Sequence, residues 1–276
     1  MKSISLLFAA TFLCVSLSAQ YYYKDLISTQ DLIKKQQVYR KNGVKAVDYA
    51  SFDAGNKPIE GFSCQQTVSA DFSSIKTITK TSLSGSSESM SFFDQKGQLV
   101  KTTDTTDGNK TITDYIYDAG NRLSSITSKS TSPGNISITE KHVWTYDAAG
   151  KPDKALKIAN NTDTTFITFV KDEQGNIAEE KAIRRGSALP VIFYYYDEDN
   201  QLTDIVRYNN KARKLLPDYI FEYEDKRVAT MLVAEEGTSD YQKWYYSYDD
   251  DGLKLQDACY SKAKTLIGRI EYSYKQ

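Results

Sequence analysis

From residue 44 onward, apolar and polar positions alternate in short runs, and each run ends in a turn. In the stretch around residue 245, Trp244, Tyr246 and Tyr248 share one face while Lys243, Tyr245 and Ser247 take the other. The same phase sets Tyr219, Phe221 and Tyr223 opposite Ile220 and Glu222, and groups Thr113 with Tyr115 and Tyr117. A period of two residues is that of a β-strand, whose side chains point alternately to opposite faces. The runs close on Asp followed by Gly or Asn, which tolerate the positive φ of a hairpin turn while the Asp carboxylate bonds its own backbone. Mixed strands rich in Leu, Ile and Val follow, as in "RLSSITSK", "NIAEEKAI", "QLTDIVRY" and "RVATMLVA". Pro58 and Pro152 follow turns, Pro133 sits in "SPGN", and Pro190 and Pro217 are expected to precede strands, so that none removes a ladder N–H.

The unit of aromatic, acid, short turn and apolar residue recurs along the chain. It is found at Phe52 ("FDAGNKPI"), Phe93 ("FDQKGQLV"), Tyr117 ("YDAGNRL"), Tyr146 ("YDAAGKP"), Lys171 ("KDEQGNI"), Tyr196 ("YDEDNQL"), Tyr223 ("YEDKRV"), Tyr248 ("YDDDGLKL") and Tyr274. Successive steps are 24 to 29 residues, apart from one of 41 that has room for an inserted hairpin around "SGSS". Such regularity predicts a repeat architecture. The expected fold is all-β: an antiparallel meander of about eight hairpin repeats over residues 44–276, forming a long twisted or coiled sheet. Its motif aromatics would ladder across neighbouring strands, each such pair contributing about 0.2–1 kcal/mol. The same pattern is compatible with a closed barrel, another way of managing exposed edges.

"YDAGNRL", "YDAAGKP" and "YDEDNQL" resemble the YD repeats of RHS-type bacterial surface proteins, over roughly residues 44–276. The resemblance implies a long β-strip that can coil into a shell, and extends to other exported proteins built of similar hairpins. It carries no toxin-encapsulating role, because the core segment and toxin region of full RHS proteins have no counterpart here.

Ahead of the repeats, Lys2 precedes "ISLLFAATFLCVSL" and the small residues of "SAQ". This is the pattern of a signal peptide, residues 1–19, cleaved after Ala19 to leave Gln20 as the first residue. Residues 20–43 form an N-terminal capping segment. Within it "KDLISTQDLIKKQQVYRKNG" predicts a short helix with Asp25 as N-cap, a thin stripe of Leu26, Ile33 and Val38, and a stop at Asn42-Gly43. Such a helix is expected to cover the first hairpin, as terminal repeats need an atypical cover.

Charge is nearly balanced, with 35 basic and 36 acidic side chains, so no nucleic-acid footprint is expected. The mean hydropathy of −0.53 and the lack of a second long apolar run predict no transmembrane helix in the mature chain. A membrane β-barrel lacks such runs too. Tyrosine, at 21 against 11 Phe, suits sheets that are half buried. Cys64 and Cys259, left after Cys14 departs with the signal peptide, are expected to be separate thiols.

Chemistry is sparse. One histidine, His142, lies in "EKHVWTYD", and neither a nucleophile elbow, a phosphate-binding glycine loop nor a zinc-spaced cluster is present in the sequence. The acidic turns at 197–200 and 249–252 do not follow the calcium-loop pattern. The expectation is therefore a non-enzyme without cofactor or metal: an exported binding or scaffold protein of the cell envelope, periplasmic, outer-membrane-associated or extracellular. Its partner would be a glycan or an envelope protein, with Trp144, Tyr194, Trp244 and Tyr246 as stacking residues. The alternatives are an outer-membrane β-barrel, which two strands of about ten residues per period suit, and a secreted hydrolase built on a carboxylate pair.

Overall fold

The structure is a computed structural model that describes residues 20–82, 85–134, 136–209, 212–234 and 240–276. The expected signal peptide, residues 1–19, lies outside the described residues.

The turns explain the shape. In the unit at Tyr117, Asp118 N–H donates to Arg122 O and Asn121 N–H returns to Asp118 O, both at 2.9 Å. The Asp118 carboxylate accepts from Gly120 N–H and Arg122 N–H at 2.8 and 2.9 Å, and Asn121 takes the left-handed conformation at φ 60°. This closure leaves one extra residue on the outgoing strand, Ser124 in this unit. A register shift falls beside the motif residue at Phe93, Tyr117, Tyr146, Lys171, Tyr196, Tyr223 and Tyr248 alike. Each such bulge bends its strand and raises the local twist, and repetition at one place in every unit bends the sheet in one direction.

The bending closes the sheet, which corrects the expectation of a long twisted or coiled sheet of about eight hairpins. Of the 19 strands among the described residues, the two-residue Ser187–Ala188 only flanks its neighbour, leaving a ring of 18. The first strand, Ala46–Asp53, pairs with its successor Ser63–Val68 and also with the last strand, Leu266–Lys275. That seam runs from Ala46↔Lys275 to Asp53↔Gly268. Closure leaves no edge with unpaired backbone groups. The long 41-residue step holds three strands, Ser63–Val68, Ser74–Thr81 and Gly85–Phe93, the last two pairing as a hairpin at the expected place, and the odd number means that the Phe52 turn opens at the opposite rim from the later motif turns. Pro217 lies inside the strand Lys214–Glu224 rather than before it, next to a register shift where a missing N–H is tolerated.

The motif tyrosines point inward and use their hydroxyls. Tyr117, Tyr146, Tyr196, Tyr223, Tyr248 and Tyr274 each donate to the backbone carbonyl of a residue 18 to 23 positions earlier: Leu99, Leu123, Ile177, Leu202, Val228 and Lys254, at 2.6–3.1 Å. Every one of these carbonyls belongs to the strand that leaves the preceding motif turn, so each hydroxyl ties one unit to the one before. Tyr146→Phe keeps the ring and strands the Leu123 carbonyl. It is expected to lower stability by about 1 kcal/mol, read as a lower urea midpoint at unchanged slope.

The N-terminal segment lies inside the ring. A single π-helical turn, Tyr22–Ile27, runs into the α-helix Ser28–Lys41, and Gly43 at φ 62° ends it. Asp25 is thus within the first helical turn and buried, not an N-cap. Tyr21 and Leu26 pack with Ile126, Trp144, Ile167, Tyr194 and Phe221. At the other end Tyr39 packs with Val47, Val68, Ile75 and Leu99 and donates to Gln66 Oε1 at 3.0 Å, and Gln36 donates to Phe72 O at 2.9 Å. The helix touches the wall on both sides.

Candidate functional site

The lumen gathers the polar side chains that cross-strand phase places among apolar ones. Three wall carboxylates, Glu140, Glu180 and Asp218, and one helix carboxylate, Asp25, organise it. Asp25, on the helix, accepts from Trp144 Nε1 at 3.0 Å and lies 2.7 Å from His142 Nδ1. His142 Nε2 meets Glu140 Oε1 at 2.9 Å, and Lys157 closes the chain on Glu140 Oε2 at 2.6 Å. Burial alone would push the imidazole down. The hydrogen bonds with Asp25 and Glu140 outweigh it and raise its pKa to about 9, so the ring is held between two carboxylates as a cation at neutral pH.

Glu180 is the second organiser. It is 1 % exposed, and its carboxylate accepts from the backbone N–H groups of Gln20, Tyr21 and Tyr22 at 2.8, 3.1 and 2.9 Å and from Tyr194 Oη at 2.9 Å. Burial pushes its carboxyl upward against those four hydrogen bonds. Gln20 Nε2 reaches Asp218 Oδ2 at 2.7 Å, and Asp218 is paired with Arg207 at 2.9 Å.

All four stacking candidates fall on the inner face. Trp144 and Tyr194 are buried and come together around residues 20–25: Trp144 stacks on Phe169 with centroids 5.3 Å apart, and Tyr22 meets Tyr194 edge-on at 5.3 Å. Trp244 and Tyr246 lie elsewhere on the wall. Trp244 packs by Cys259 and Ile270, and Lys254 Nζ sits 4.3 Å above the Tyr246 ring. On the strand of Tyr194 the outward rings are those in the opposite phase, Phe193 and Tyr195, the latter 47 % exposed. Both line an open cleft of about 570 Å³ with Asp172, Glu179, Asp197 and Glu198. Cys64 and Cys259 are free and buried. Among the described residues no group of three or more His, Cys, Asp or Glu is placed to hold a metal ion.

The residues that organise the lumen, Asp25, Glu180, Gln20 and Asp218, were not singled out as a site from the sequence. One signal was available: Glu180 in "NIAEEKAI" shares its phase with Ala182, on the side that packs inward.

A closed wall, an aromatic inner face and a lumen filled by the chain's own helix define a plugged β-barrel. Residues 93–134 match the RHS Repeat family, in keeping with the YD-type resemblance. No curated protein matches. Among solved structures, a porin-like protein from Bacteroides uniformis ATCC 8492 aligns over 84 % of this chain and 96 % of its own at 8 % identity and a TM-score of 0.40. One from Bacteroides vulgatus ATCC 8482 covers 84 % and 98 % at 12 % identity and a TM-score of 0.30. At these scores neither carries a function across. Of the classes weighed from the sequence, the closed ring supports the β-barrel ahead of a scaffold built on an open sheet.

Proposed function

We propose that the protein is an exported, outer-membrane-associated β-barrel whose lumen is sealed by its own N-terminal helix: a closed, non-catalytic shell rather than a conduit. The observation that carries this reading is the helix in the lumen, tied to the wall through Asp25, Glu180, Gln36 and Tyr39. The one histidine is committed to that tie at both ring nitrogens.

The outer face suggests how the barrel meets a membrane. Asp114, Lys141, Lys154 and Lys181 are exposed in outward phase along their strands. A lysine on the lipid face costs about 2–4 kcal/mol at the bilayer midplane, so this wall favours water and the headgroup region. Against that background Val143, Leu156, Phe166 and Ile183 form one outward cross-strand row, with Phe166 58 % and Ile183 50 % exposed. The row supplies an apolar strip for the membrane side, and it favours a second reading in which the barrel inserts.

Envelope fractionation with conductance measurement tests the proposal. The chain is expected with outer membranes, released by urea without detergent, and silent in a planar bilayer. Stepwise conductance from the pure protein contradicts a sealed lumen, recovery in the cytosol contradicts export, and release only by detergent favours insertion.

A further inference from the structure

Glu180 accepts from four donors, three backbone N–H groups and the Tyr194 hydroxyl. That arrangement favours an ionised carboxylate, because three of the four partners can only donate and a protonated acid would find an acceptor for its hydrogen only in the Tyr194 hydroxyl oxygen. Among the described residues no lysine or arginine forms an ion pair with it. The cations of its own and nearby strands are engaged elsewhere: Lys181 with Glu179, Arg184 with Asp163 and Arg207 with Asp218. A carboxylate 1 % exposed and without a cation is costly to keep in a protein interior. The positive end of the helix offsets only part of that cost.

The atom closest to supplying the missing charge is Gln20 N, 2.8 Å from Glu180 Oε1. Gln20 is the residue that cleavage after Ala19 would make the first of the chain, and it is itself 1 % exposed. It also has φ 74°, a left-handed conformation that a side-chain-bearing residue rarely adopts. Once the bond before it is cut, that torsion no longer exists. Its side-chain Oε1 is buried without a hydrogen-bond partner.

We propose that hydrolysis of the Ala19–Gln20 bond completes the fold, by creating an α-ammonium group on Gln20 that pairs with Glu180 inside the barrel. An exported endopeptidase splits water across the bond: the hydroxyl goes to the Ala19 carbonyl carbon, the hydrogen to Gln20 N, and the new carboxyl loses its proton as the amine gains one. Where the uncut chain offers one amide N–H, the ammonium offers three, two of them new donors beside the unpartnered Oε1. Removal of the leader is then not only an address being discarded but the step that locks the plug. The inference rests on the export reading above.

A free N-terminal glutamine ordinarily cyclises when its amine attacks the side-chain carbonyl carbon and ammonia leaves. Here the amine is held by Glu180 and the departing nitrogen by Asp218, so the open form is expected to persist.

The test starts with chain purified from envelopes, whose N-terminal sequence and intact mass are expected to show an open Gln20. The mature protein is then compared with one extended by two alanines, which keeps an N–H at Gln20 but moves the charge away. The extension is expected to lower Tm by about 5 °C, a shift on the scale of one strong interaction in a domain of this size, and to have little effect in a Glu180→Gln background. Should Glu180→Gln fail to fold, the wild type still decides. Its α-amine is expected to react with an acylating reagent at least tenfold more slowly than in urea. An exported chain starting elsewhere, a cyclised Gln20, equal loss in both backgrounds or full amine reactivity would each overturn the proposal. An uncut chain in the cytosol would overturn the export reading with it.

Discussion

A chain that begins at Val44, without the helix, is expected to lose the cooperative fold of the barrel. Tyr21, Leu26 and Tyr39 are each at least nine-tenths buried, and each burial is worth about 1.5–3 kcal/mol. Loss of Asp25 also leaves Trp144 Nε1 and His142 Nδ1 facing an empty lumen, and loss of residues 20–22 strips three donors from Glu180. A buried polar group left without its partner costs about 1–3 kcal/mol. The sum reaches the 5–15 kcal/mol that is the whole stability of an ordinary domain. The expected readout is a collapsed near-ultraviolet circular dichroism signal with no sigmoidal melt, restored when a peptide of residues 20–43 is added. An unchanged melt would mean that the wall stands by itself.

Removing the last strand, Leu266–Lys275, is expected to turn a monomer into aggregates. The deletion takes the whole seam from Ala46↔Lys275 to Asp53↔Gly268, the Tyr49–Tyr272 ring contact at 4.9 Å and the Tyr274 bond to Lys254 O. It leaves two bare edges, Ala46–Asp53 and Lys254–Ser261, whose unpaired N–H and C=O groups are templates for another chain. Size-exclusion chromatography with light scattering reads the outcome. A soluble monomer with an unshifted melt would show that the seam contributes little.

Strands, turns and the shared face of the motif tyrosines were all legible in the sequence, since alternation and Asp-x-x-Gly or Asp-x-x-Asn spacing act over a few residues. Closure was not, because it depends on the sum of many bends and on a pairing between Ala46 and Lys275 that no local pattern marks. Nor did the ladder explain why tyrosine recurs where phenylalanine would pack equally well. The hydroxyl's reach to a carbonyl of the preceding unit supplies that reason.

The candidate site was legible only in part. Trp144 and Tyr194 were singled out as stacking residues for a glycan or envelope partner, and the sequence carried no sign of the helix against which both are buried. The helix showed a thin apolar stripe because its contacts are mixed: Asp25 and Gln36 bond the wall where a purely apolar helix would only pack. His142, which the sequence showed only as the one histidine of "EKHVWTYD", joins helix to wall because Asp25 stands opposite it.

The central claim is that the first and last strands meet around the plug, and a cysteine pair across the seam tests it most directly. Ala50 lies opposite Glu271, and directly opposed residues of an antiparallel pair have Cα atoms about 4.5–5.5 Å apart, within disulfide reach. In an open sheet of 18 strands the same positions would be roughly 80 Å apart, at about 4.8 Å per strand. With Ala50→Cys and Glu271→Cys in the native protein, mild oxidation is expected to link the two positions in high yield within a monomer, seen as the joined peptide by mass spectrometry. Two free thiols after oxidation, or links only between chains, would contradict the closed barrel.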